Sequence, residues 1–353
     1  MTMTRYLRAA CLMAVFMVAA CGGNQSQGTD SSAPAAGATT KINGAGATFP
    51  NPIYSKWFSE YNKLHSNVEI NYQPLGSGAG IRQLKERTVF FGASDMPMTD
   101  DQLKEAPGAT LHFPTVLGAV VPVFNLAGVT DLQFSGPVLA DIYLGKIKKW
   151  NAPAIAKLNP GVKLPATDIA VVHRSEGSGT TYIWVDFLAK VSPEFKEKVG
   201  VNSSVNWPVG VGGKGNDGVS GLVSQTPGAL GYVELIFALQ NKITYASVQN
   251  VAGEFVKAAP DSVTKAAASA TIPDDFRVSI TNAPGAGAYP IASFTYLLLY
   301  EDAQDKAQAK TMVDFIKWAI TDAQKFAAEL GYAPLPDAVV MKEMSALEKI
   351  KVS

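Results

Sequence analysis

The chain has 353 residues, of which 47% are hydrophobic and 17% charged, and its 30 basic residues balance 30 acidic ones. This balance argues against a nucleic-acid partner, because such a partner favours a clear basic excess. The length exceeds what a single hydrophobic core usually organises.

The first 20 residues have the pattern of an export signal. Arg5 and Arg8 form a basic start, an apolar stretch over residues 9–20 follows, and small residues lead into Cys21. The stretch is shorter than the roughly 20 residues that a membrane-spanning helix needs. It resembles bacterial lipoprotein signals, so we predict removal of residues 1–20 and a lipid anchor on Cys21.

Loss of this segment changes the cysteine count and the charge. Cys11 is removed with it, so the mature chain has no cysteine pair to oxidise. Loss of Arg5 and Arg8 leaves 28 basic against 30 acidic residues, a formal net charge of −2.

Residues 21–41 are rich in Gly, Ser, Gln, Thr and Ala and contain almost no large apolar side chain. Such a segment cannot bury enough surface to order itself, so we predict a flexible tether after the lipidated cysteine. The remaining 312 residues, from Ile42 to Ser353, favour two lobes.

From Ile42 onward, apolar runs rich in Val, Ile and aromatic residues alternate with helical patterns, which indicates an α/β fold. Helical spacing predicts helices over residues 50–65 and 79–86. The intervening runs, residues 68–73 and 89–93, are predicted strands.

Two segments are candidates for crossings between the lobes. The apolar run 111–126 contains Pro114 and Pro122 and is too long for one ordinary strand. Residues 280–289 are rich in proline and glycine and precede an apolar strand. We therefore predict that residues 42–120 and 286–353 form lobe 1 and that residues 121–285 form lobe 2.

Four loops place small residues just before a helical pattern, where free backbone N–H groups make a candidate anion site. They are residues 44–50, 76–80, 174–180 and 212–218. Any one of them alone is more typical of an ordinary helix cap or turn. None matches a nucleotide-binding or hydrolase motif well.

Two charged residues near these loops, Arg174 and Asp95, are candidates for contacts with a bound anion. Arg174 ends a strand beside a helix start, so its guanidinium could bind an oxyanion, although a surface pair with Glu176 is about as plausible. Asp95 follows a strand where α/β crevices lie, or caps a turn. A carboxylate is useful in an anion site only if the anion carries a proton.

Metal binding and His-dependent catalysis are not predicted. His65, His112 and His173 are scattered, and no His, Cys and carboxylate cluster has ligand spacing. No cofactor is predicted.

Five motifs occur in one order along the chain. They are GAGATFP at 44–50, FGASD at 91–95, DIYLGKIKKW at 141–150, GSGT at 177–180 and GGKGNDG at 212–218. With these motifs the sequence resembles the phosphate-binding component of the Pst ABC phosphate importer from about residue 42 to at least residue 340.

The resemblance implies a two-lobed periplasmic-binding-protein fold of type II, with a ligand cleft between the lobes and a hinge. It implies a monomer, not an enzyme, that binds inorganic phosphate on the periplasmic or cell-surface side of a bacterial membrane. The implied partners are the permease subunits of the importer and, through Cys21, the membrane. The implied phosphate contacts are Thr48, Phe49, Ser77, Asp95, Arg174, Ser178, Gly179 and Thr180.

The fourth loop gains no ligand from the resemblance, and its expected role is packing or cleft shape. Glu176 stands where the family commonly has an aspartate that braces the arginine, so a longer arm is expected to hold Arg174.

Two other functions stay open. An extracytoplasmic phosphatase on the same anion cradle would need a positioned nucleophile with a base, or metal ions, and the sequence shows neither. A surface lipoprotein with a vestigial pocket is the other, and the intact pair of Asp95 and Arg174 argues against it.

Overall fold

A computed structural model describes residues 39–353 of the chain. The predicted signal over residues 1–20, the predicted lipid site at Cys21 and nearly all of the predicted tether lie outside the described residues. In the described part, no helix combines the length and the apolar character needed to cross a membrane.

Strands and helices alternate along the described residues, which confirms the predicted α/β class. The strands are β1 (Thr40–Gly46), β2 (Val68–Pro74), β3 (Phe91–Ser94), β4 (Thr110–Phe124), β5 (Gln133–Phe134), β6 (Ala170–Arg174), β7 (Val211–Gly213), β8 (Ala229–Glu234), β9 (Thr244–Tyr245), β10 (Ser247–Gln249), β11 (Phe255–Val256) and β12 (Ala292–Tyr300). The helices are α1 (Asn51–Leu64), α2 (Ser77–Lys85), α3 (Asp100–Lys104), α4 (Gly136–Tyr143), α5 (Pro153–Leu158), α6 (Gly179–Val191), α7 (Pro193–Lys198), α8 (Gly215–Gln225), α9 (Leu235–Gln240), α10 (Pro260–Ala268), α11 (Lys306–Ile320), α12 (Lys325–Glu329) and α13 (Asp337–Leu347), with a 3₁₀ turn at Asp322–Gln324.

Within residues 39–353, nine strands form one mixed sheet in the order β2-β1-β3-β12-β4-β8-β6-β7, with β9 paired to β4. Strand β1 is parallel to β2 and β3, and β6 is parallel to β7 and β8. We call β2, β1, β3 and β12 the first half of the sheet and β8, β6 and β7 the second half. A separate sheet joins β11, β10 and β5.

Strand β4 connects the two halves. Its residues 110–119 pair with β12 and its residues 120–124 pair with β8, both antiparallel. The run predicted to be too long for one ordinary strand is therefore a single strand of 15 residues that passes from one half to the other. The predicted lobe boundaries at residues 120 and 285 stay a prediction.

A register shift accommodates Pro114 inside this strand. Pro114 is opposite Tyr296 and Val116 is opposite Thr295, so Thr115 has no residue opposite it. The hydroxyl of Thr115 lies 2.9 Å from the hydroxyl of Tyr54 and donates to the carbonyl of Thr295 at 3.2 Å. The proline that predicted an interruption thus produces a bulge that remains hydrogen-bonded.

Helix α1 confirms the helix predicted over residues 50–65. Its buried side chains recur at helical spacing and are Ile53, Tyr54, Trp57, Phe58 and Tyr61. The rings of Phe58 and Tyr61 both lie 5.2 Å from the ring of Phe315 in α11. This packing brings the C-terminal helices back onto the N-terminal part of the chain.

Candidate ligand-binding site

The candidate site lies where parallel strands of the two halves end. Thr48 and Phe49 follow β1, Asp95 follows β3, and Arg174 is the last residue of β6. The carboxyl ends of parallel strands are where ligand crevices of α/β proteins form. The structure thus places the two predicted charged residues at the ends of strands from opposite halves.

Contacts across the sheet halves surround Ser77, the first residue of α2. The Oγ atom of Ser77 accepts hydrogen bonds from the N–H of Gly179 at 3.0 Å and from the N–H of Asp95 at 3.2 Å. Nearby, the N–H of Gly78 donates to the carbonyl of Gly177 at 3.0 Å. Three predicted site residues, Ser77, Asp95 and Gly179, therefore contact one another.

Gly179 is a glycine because no side chain fits there. A Cβ atom at this position would lie 2.5 Å from Oδ2 of Asp95 and 2.5 Å from Oγ of Ser77. Real Cβ atoms do not approach oxygen atoms so closely. The absent side chain lets the start of α6 pack directly against the carboxylate.

Asp95 is a buried carboxylate with only part of its charge compensated. Burial raises the pKa of Asp95 from its ordinary value of 3.8 to about 7, although the hydrogen bond from Thr295 and the charge of Arg174 act in the opposite direction. The Thr295 hydroxyl donates to Oδ1 at 2.8 Å. The carboxylate therefore changes its charge close to neutral pH.

Arg174 is 3% exposed and held on several sides. Its Nε donates to Oε1 of Glu176 at 2.9 Å and its Nη2 pairs with the same oxygen. Its Nη1 donates to the hydroxyl of Thr180 at 3.1 Å, and its backbone N–H donates to the hydroxyl of Tyr232 at 3.2 Å. Glu176 thus braces Arg174, as expected, while the arginine stays buried beside the start of α6.

Ser178 caps helix α6. Its Oγ accepts a hydrogen bond from the N–H of Thr181 at 3.1 Å, and its own N–H donates to Ser203 at 2.8 Å. Its hydroxyl proton is left for another acceptor, because the cap uses only the oxygen. The expected cap and the predicted site role are therefore compatible at this residue.

Phe49 enters the site through its backbone. Its ring is fully buried, and its carbonyl accepts a hydrogen bond from the hydroxyl of Tyr332 at 2.6 Å. A Cβ atom at Gly118 of β4 would lie 2.5 Å from this ring, so the glycine makes room for it. The ring and the carbonyl of Phe49 thus contact other parts of the protein, and its N–H remains available to a ligand.

Backbone N–H groups at three helix starts are free in the described residues. Among the contacts within residues 39–353, the N–H groups of Thr48, Phe49, Ser77 and Thr180 donate to no protein acceptor. The helices that follow, α1, α2 and α6, each add the positive end of their dipole. Free N–H groups at helix N-termini favour an anion.

The fourth loop is closer to the site than expected. Gly215 donates its N–H to Oε1 of Glu176 at 3.1 Å. The side-chain Nδ2 of Asn216 lies 3.0 Å from the hydroxyl of Thr48 and 3.4 Å from that of Thr180. The family resemblance gave this loop no ligand, whereas the structure connects it to two predicted site residues and to the brace of Arg174.

Two further polar residues were missed by the sequence interpretation. Thr295 lies within the apolar strand β12, and Glu234 ends the apolar strand β8. Glu234 is fully buried, which raises its pKa well above its ordinary value, and its Oε1 has no partner among the described residues. A polar residue in an otherwise apolar strand was the available signal.

The arrangement suits a small oxyanion that keeps one proton. The guanidinium, the hydroxyls and the free N–H groups can all donate, and Asp95 can accept. In the part of the chain that the structure describes, no group of three or more His, Cys, Asp or Glu side chains could hold a metal ion.

The chain matches a protein family and is similar in sequence to known proteins. Residues 31–323 match the family described as the PBP superfamily domain. A phosphate-binding protein PstS of Xylella fastidiosa is 46% identical over 344 residues, which cover 94% of each chain. The protein of the same name from Pasteurella multocida is 48% identical over 305 residues, covering 85% of this chain and 88% of its own.

Solved structures show the same fold at lower identity. A high-affinity periplasmic phosphate-binding protein, PfluDING, bound with phosphate, has a TM-score of 0.71 and 23% identity, over 87% of this chain and 93% of its own. A phosphate-binding protein from Stenotrophomonas maltophilia has a TM-score of 0.69 and 19% identity, over 87% of this chain and 94% of its own.

Proposed function

The chain belongs to the PBP superfamily and to its PstS phosphate-binding proteins, and from this premise we propose that it binds inorganic phosphate outside the cytoplasmic membrane for an ABC-type importer. The observation that carries this proposal is the meeting of Asp95, Arg174 and free helix N-termini at the strand ends of both sheet halves. Permease subunits of the importer are the proposed partners, and the protein acts as a monomer.

The proposed phosphate contacts come from four segments of the chain. They are Thr48, Phe49, Ser77, Asp95, Arg174, Ser178, Gly179 and Thr180. Phe49 acts through its free backbone N–H, the hydroxyls and Arg174 donate, and Asp95 accepts a hydrogen bond from the protonated oxygen of the phosphate. The N–H of Gly179 already donates to Ser77, so Gly179 contributes by its close approach without a side chain. This division follows from the contacts that each residue already makes within the protein.

We propose that the ligand is released without chemical change. Phosphoryl transfer requires an activated nucleophile or metal ions to stabilise the transferred group. The site residues offer a tight set of donors around an intact anion instead. The purified protein should therefore show no turnover of a phosphomonoester, with or without added divalent metal, and turnover that a site mutation abolishes would contradict the proposal.

We further propose that residues 1–20 are a lipoprotein signal and that Cys21 carries the lipid that holds the mature protein at the membrane. The support is the sequence pattern alone. The cleft between lobe 1 (residues 42–120 and 286–353) and lobe 2 (residues 121–285) is proposed to close on phosphate, with β4 passing between them.

Isothermal titration of the mature protein without its lipid tests the ligand. At pH 8.5 we expect saturable binding of phosphate and arsenate and at least about tenfold weaker binding of sulfate, because Asp95, whose pKa is raised to about 7, is then mostly ionised and must take up a proton before it can donate to sulfate. Equal binding of sulfate and phosphate would contradict the assigned role of Asp95, and binding of none of the three anions would refute the proposed function.

A further inference from the structure

The orientation of the Asn216 side-chain amide is fixed by the backbone N–H of Glu234, a group that can donate but not accept a hydrogen bond. The backbone N–H of Glu234 lies 3.1 Å from Oδ1 of Asn216. Since a backbone N–H can only donate, the amide oxygen must face Glu234. The NH₂ group therefore faces the hydroxyls of Thr48 and Thr180.

These two hydroxyls have both acceptor positions occupied. Oγ1 of Thr48 accepts from Nδ2 of Asn216 at 3.0 Å and from its backbone N–H at 3.3 Å. Oγ1 of Thr180 accepts from Nδ2 of Asn216 at 3.4 Å and from Nη1 of Arg174 at 3.1 Å.

A hydroxyl has two acceptor positions and one proton to donate. Within the described residues, the protons of Thr48 and Thr180 donate to no protein acceptor. Both protons are therefore left for a ligand. A site whose hydroxyls can only donate favours an anion over a neutral ligand.

Asn216 also spans the two halves of the sheet. Thr48 follows β1 of the first half, whereas Asn216 lies in α8 and Thr180 in α6, and both helices pack on β8 of the second half. Asn216 is completely buried, so bulk water does not replace its amide. One side chain thus joins the first and the last of the four proposed phosphate-binding segments.

We infer that Asn216 is a positioning residue of the phosphate site, which draws Thr48 against Thr180 and Arg174 and sets both threonine hydroxyls as donors to the anion. This inference rests on the proposed function, because it names how that same site is assembled. Asn216 acts through the two hydroxyls and does not itself contact the phosphate.

A double-mutant cycle between Asn216 and Thr48 tests the inference. We expect Asn216→Ala to raise the phosphate Kd at least about tenfold, with Thr48→Val raising it by a similar factor. The double variant should fall short of the product of the two single effects by at least about threefold, because Asn216→Ala releases the hydroxyl donor that Thr48→Val removes. Thr48→Ser, which keeps the hydroxyl, should retain the full effect of Asn216→Ala.

Asn216→Asp provides a second variant of nearly the same size. It replaces a donor with an acceptor, so the Thr48 hydroxyl turns toward the carboxylate and phosphate binding weakens at least as much as in Asn216→Ala. This variant serves in the same cycle if the alanine variant does not fold. The exposed neighbour Asp217, changed to Asn, is the matched control and should leave the Kd within about twofold.

The outcomes separate the two proposals. A parent protein that binds no phosphate refutes the proposed function. A parent that binds phosphate, with an Asn216 variant whose Kd is unchanged, overturns only the role of Asn216. Full additivity between Asn216 and Thr48 also overturns it, because a purely structural amide would not act through that hydroxyl.

Discussion

At the scale of the residue, Asp95 is a carboxylate placed among donors. Sulfate and phosphate are both tetrahedral anions, so the guanidinium of Arg174 and the backbone N–H groups would bind either. Inorganic phosphate has one more ionisable proton than its monoesters, whose second and last pKa is about 6, so it still keeps a proton near neutral pH, whereas sulfate has none to donate. An ionised Asp95 can accept a hydrogen bond from that P–OH group, and it repels an anion that lacks a proton.

The pKa of Asp95, raised by burial to about 7, makes this discrimination depend on pH. Below that pKa the carboxyl is protonated and can donate to sulfate; above it the carboxylate repels sulfate. We expect the affinity for sulfate to rise as the pH falls from 8.5 to 5.5, by up to about tenfold per unit. Titration calorimetry across this range measures it.

Asp95→Asn provides the control, because its amide donates at every pH. In this variant the sulfate affinity should not follow that pH dependence, and the ratio of phosphate to sulfate affinity should narrow. A parent whose sulfate affinity is constant from pH 5.5 to 8.5 would show that Asp95 is not the discriminating group.

Substitution of Arg174 tests how much its positive charge contributes to phosphate binding. We expect Arg174→Ala to weaken phosphate binding at least about tenfold, since a hydrogen bond to a charged group contributes about 1.5 to 3 kcal/mol. Arg174→Lys should bind more weakly than the parent, because an ammonium cannot reproduce the contacts with Glu176 and Thr180 together. Calorimetry gives the Kd of each.

Arg82 is the matched control, an arginine on the exposed face of α2. Arg82→Ala should keep the parent affinity within about twofold. An unchanged Kd in Arg174→Ala would remove this residue from the site.

The sequence predicted the loops that contain these residues, but it did not predict their distant hydrogen-bond partners. Hydroxyls and glycines before a helical pattern point to free N–H groups, a local property that a single segment reveals. Thr295 bonds to Asp95 across 200 positions, and Asn216 bonds to Thr48 across 168. No local pattern carries such contacts, because they arise only when the sheet brings distant strand ends together.

At the scale of the element, helix α13 contains a carboxyl with no compensation. Glu343 is fully buried, and neither of its oxygens has a partner among the described residues. Burial raises the pKa of Glu343 well above its ordinary value of 4.5, so the folded protein holds this carboxyl neutral. The free energy of unfolding therefore falls as the pH rises and the Glu343 carboxyl of the unfolded chain loses its proton.

We expect Glu343→Gln to change the pH dependence of stability. Below pH 4.5 both states of the parent hold the proton, and above it only the folded state does, so rising pH favours unfolding. The free energy of unfolding of the parent should fall relative to that of the variant by up to about 1.4 kcal/mol per pH unit above this point. Urea denaturation between pH 4 and 7 measures the difference.

Glu348, exposed just after the same helix, is the control. Glu348→Gln should leave the dependence of the parent nearly unchanged. Parallel stability curves for the parent and Glu343→Gln would contradict the assignment of a neutral buried carboxyl.

Elements were predicted well where periodicity was strong and less well where proline interrupted it. The pattern of α1 placed the helix within a residue at each end. The two prolines of β4 suggested interruption, yet the strand continues, because a bulge at Thr115 absorbs the register change at Pro114. Strand length in this case is set by pairing with β12 and β8, which the local sequence does not contain.

At the scale of the whole molecule, the proposed attachment of the protein to the membrane depends on one cysteine. If Cys21 is the only lipid site, Cys21→Ser should leave the protein unacylated, either soluble or with its signal retained. Metabolic labelling with a fatty acid, followed by fractionation of the cells, measures this. A variant that stays labelled and cofractionates with membranes like the parent would contradict the anchor assignment.

The place of β12 in the sheet has a consequence for the order of folding. This strand lies between β3 and β4, yet it begins at residue 292 of 353. A nascent chain is made from its N-terminus, so β3 and β4 must wait for a neighbour that is made late, and such distant pairing is slow. A fragment ending at residue 285 should therefore lack a cooperative thermal transition, and calorimetry showing one would contradict this. The N-terminal part of the chain, including the loop of Thr48, is made first and is expected to become rigid late, and this delay would keep the chain flexible enough for the proposed export.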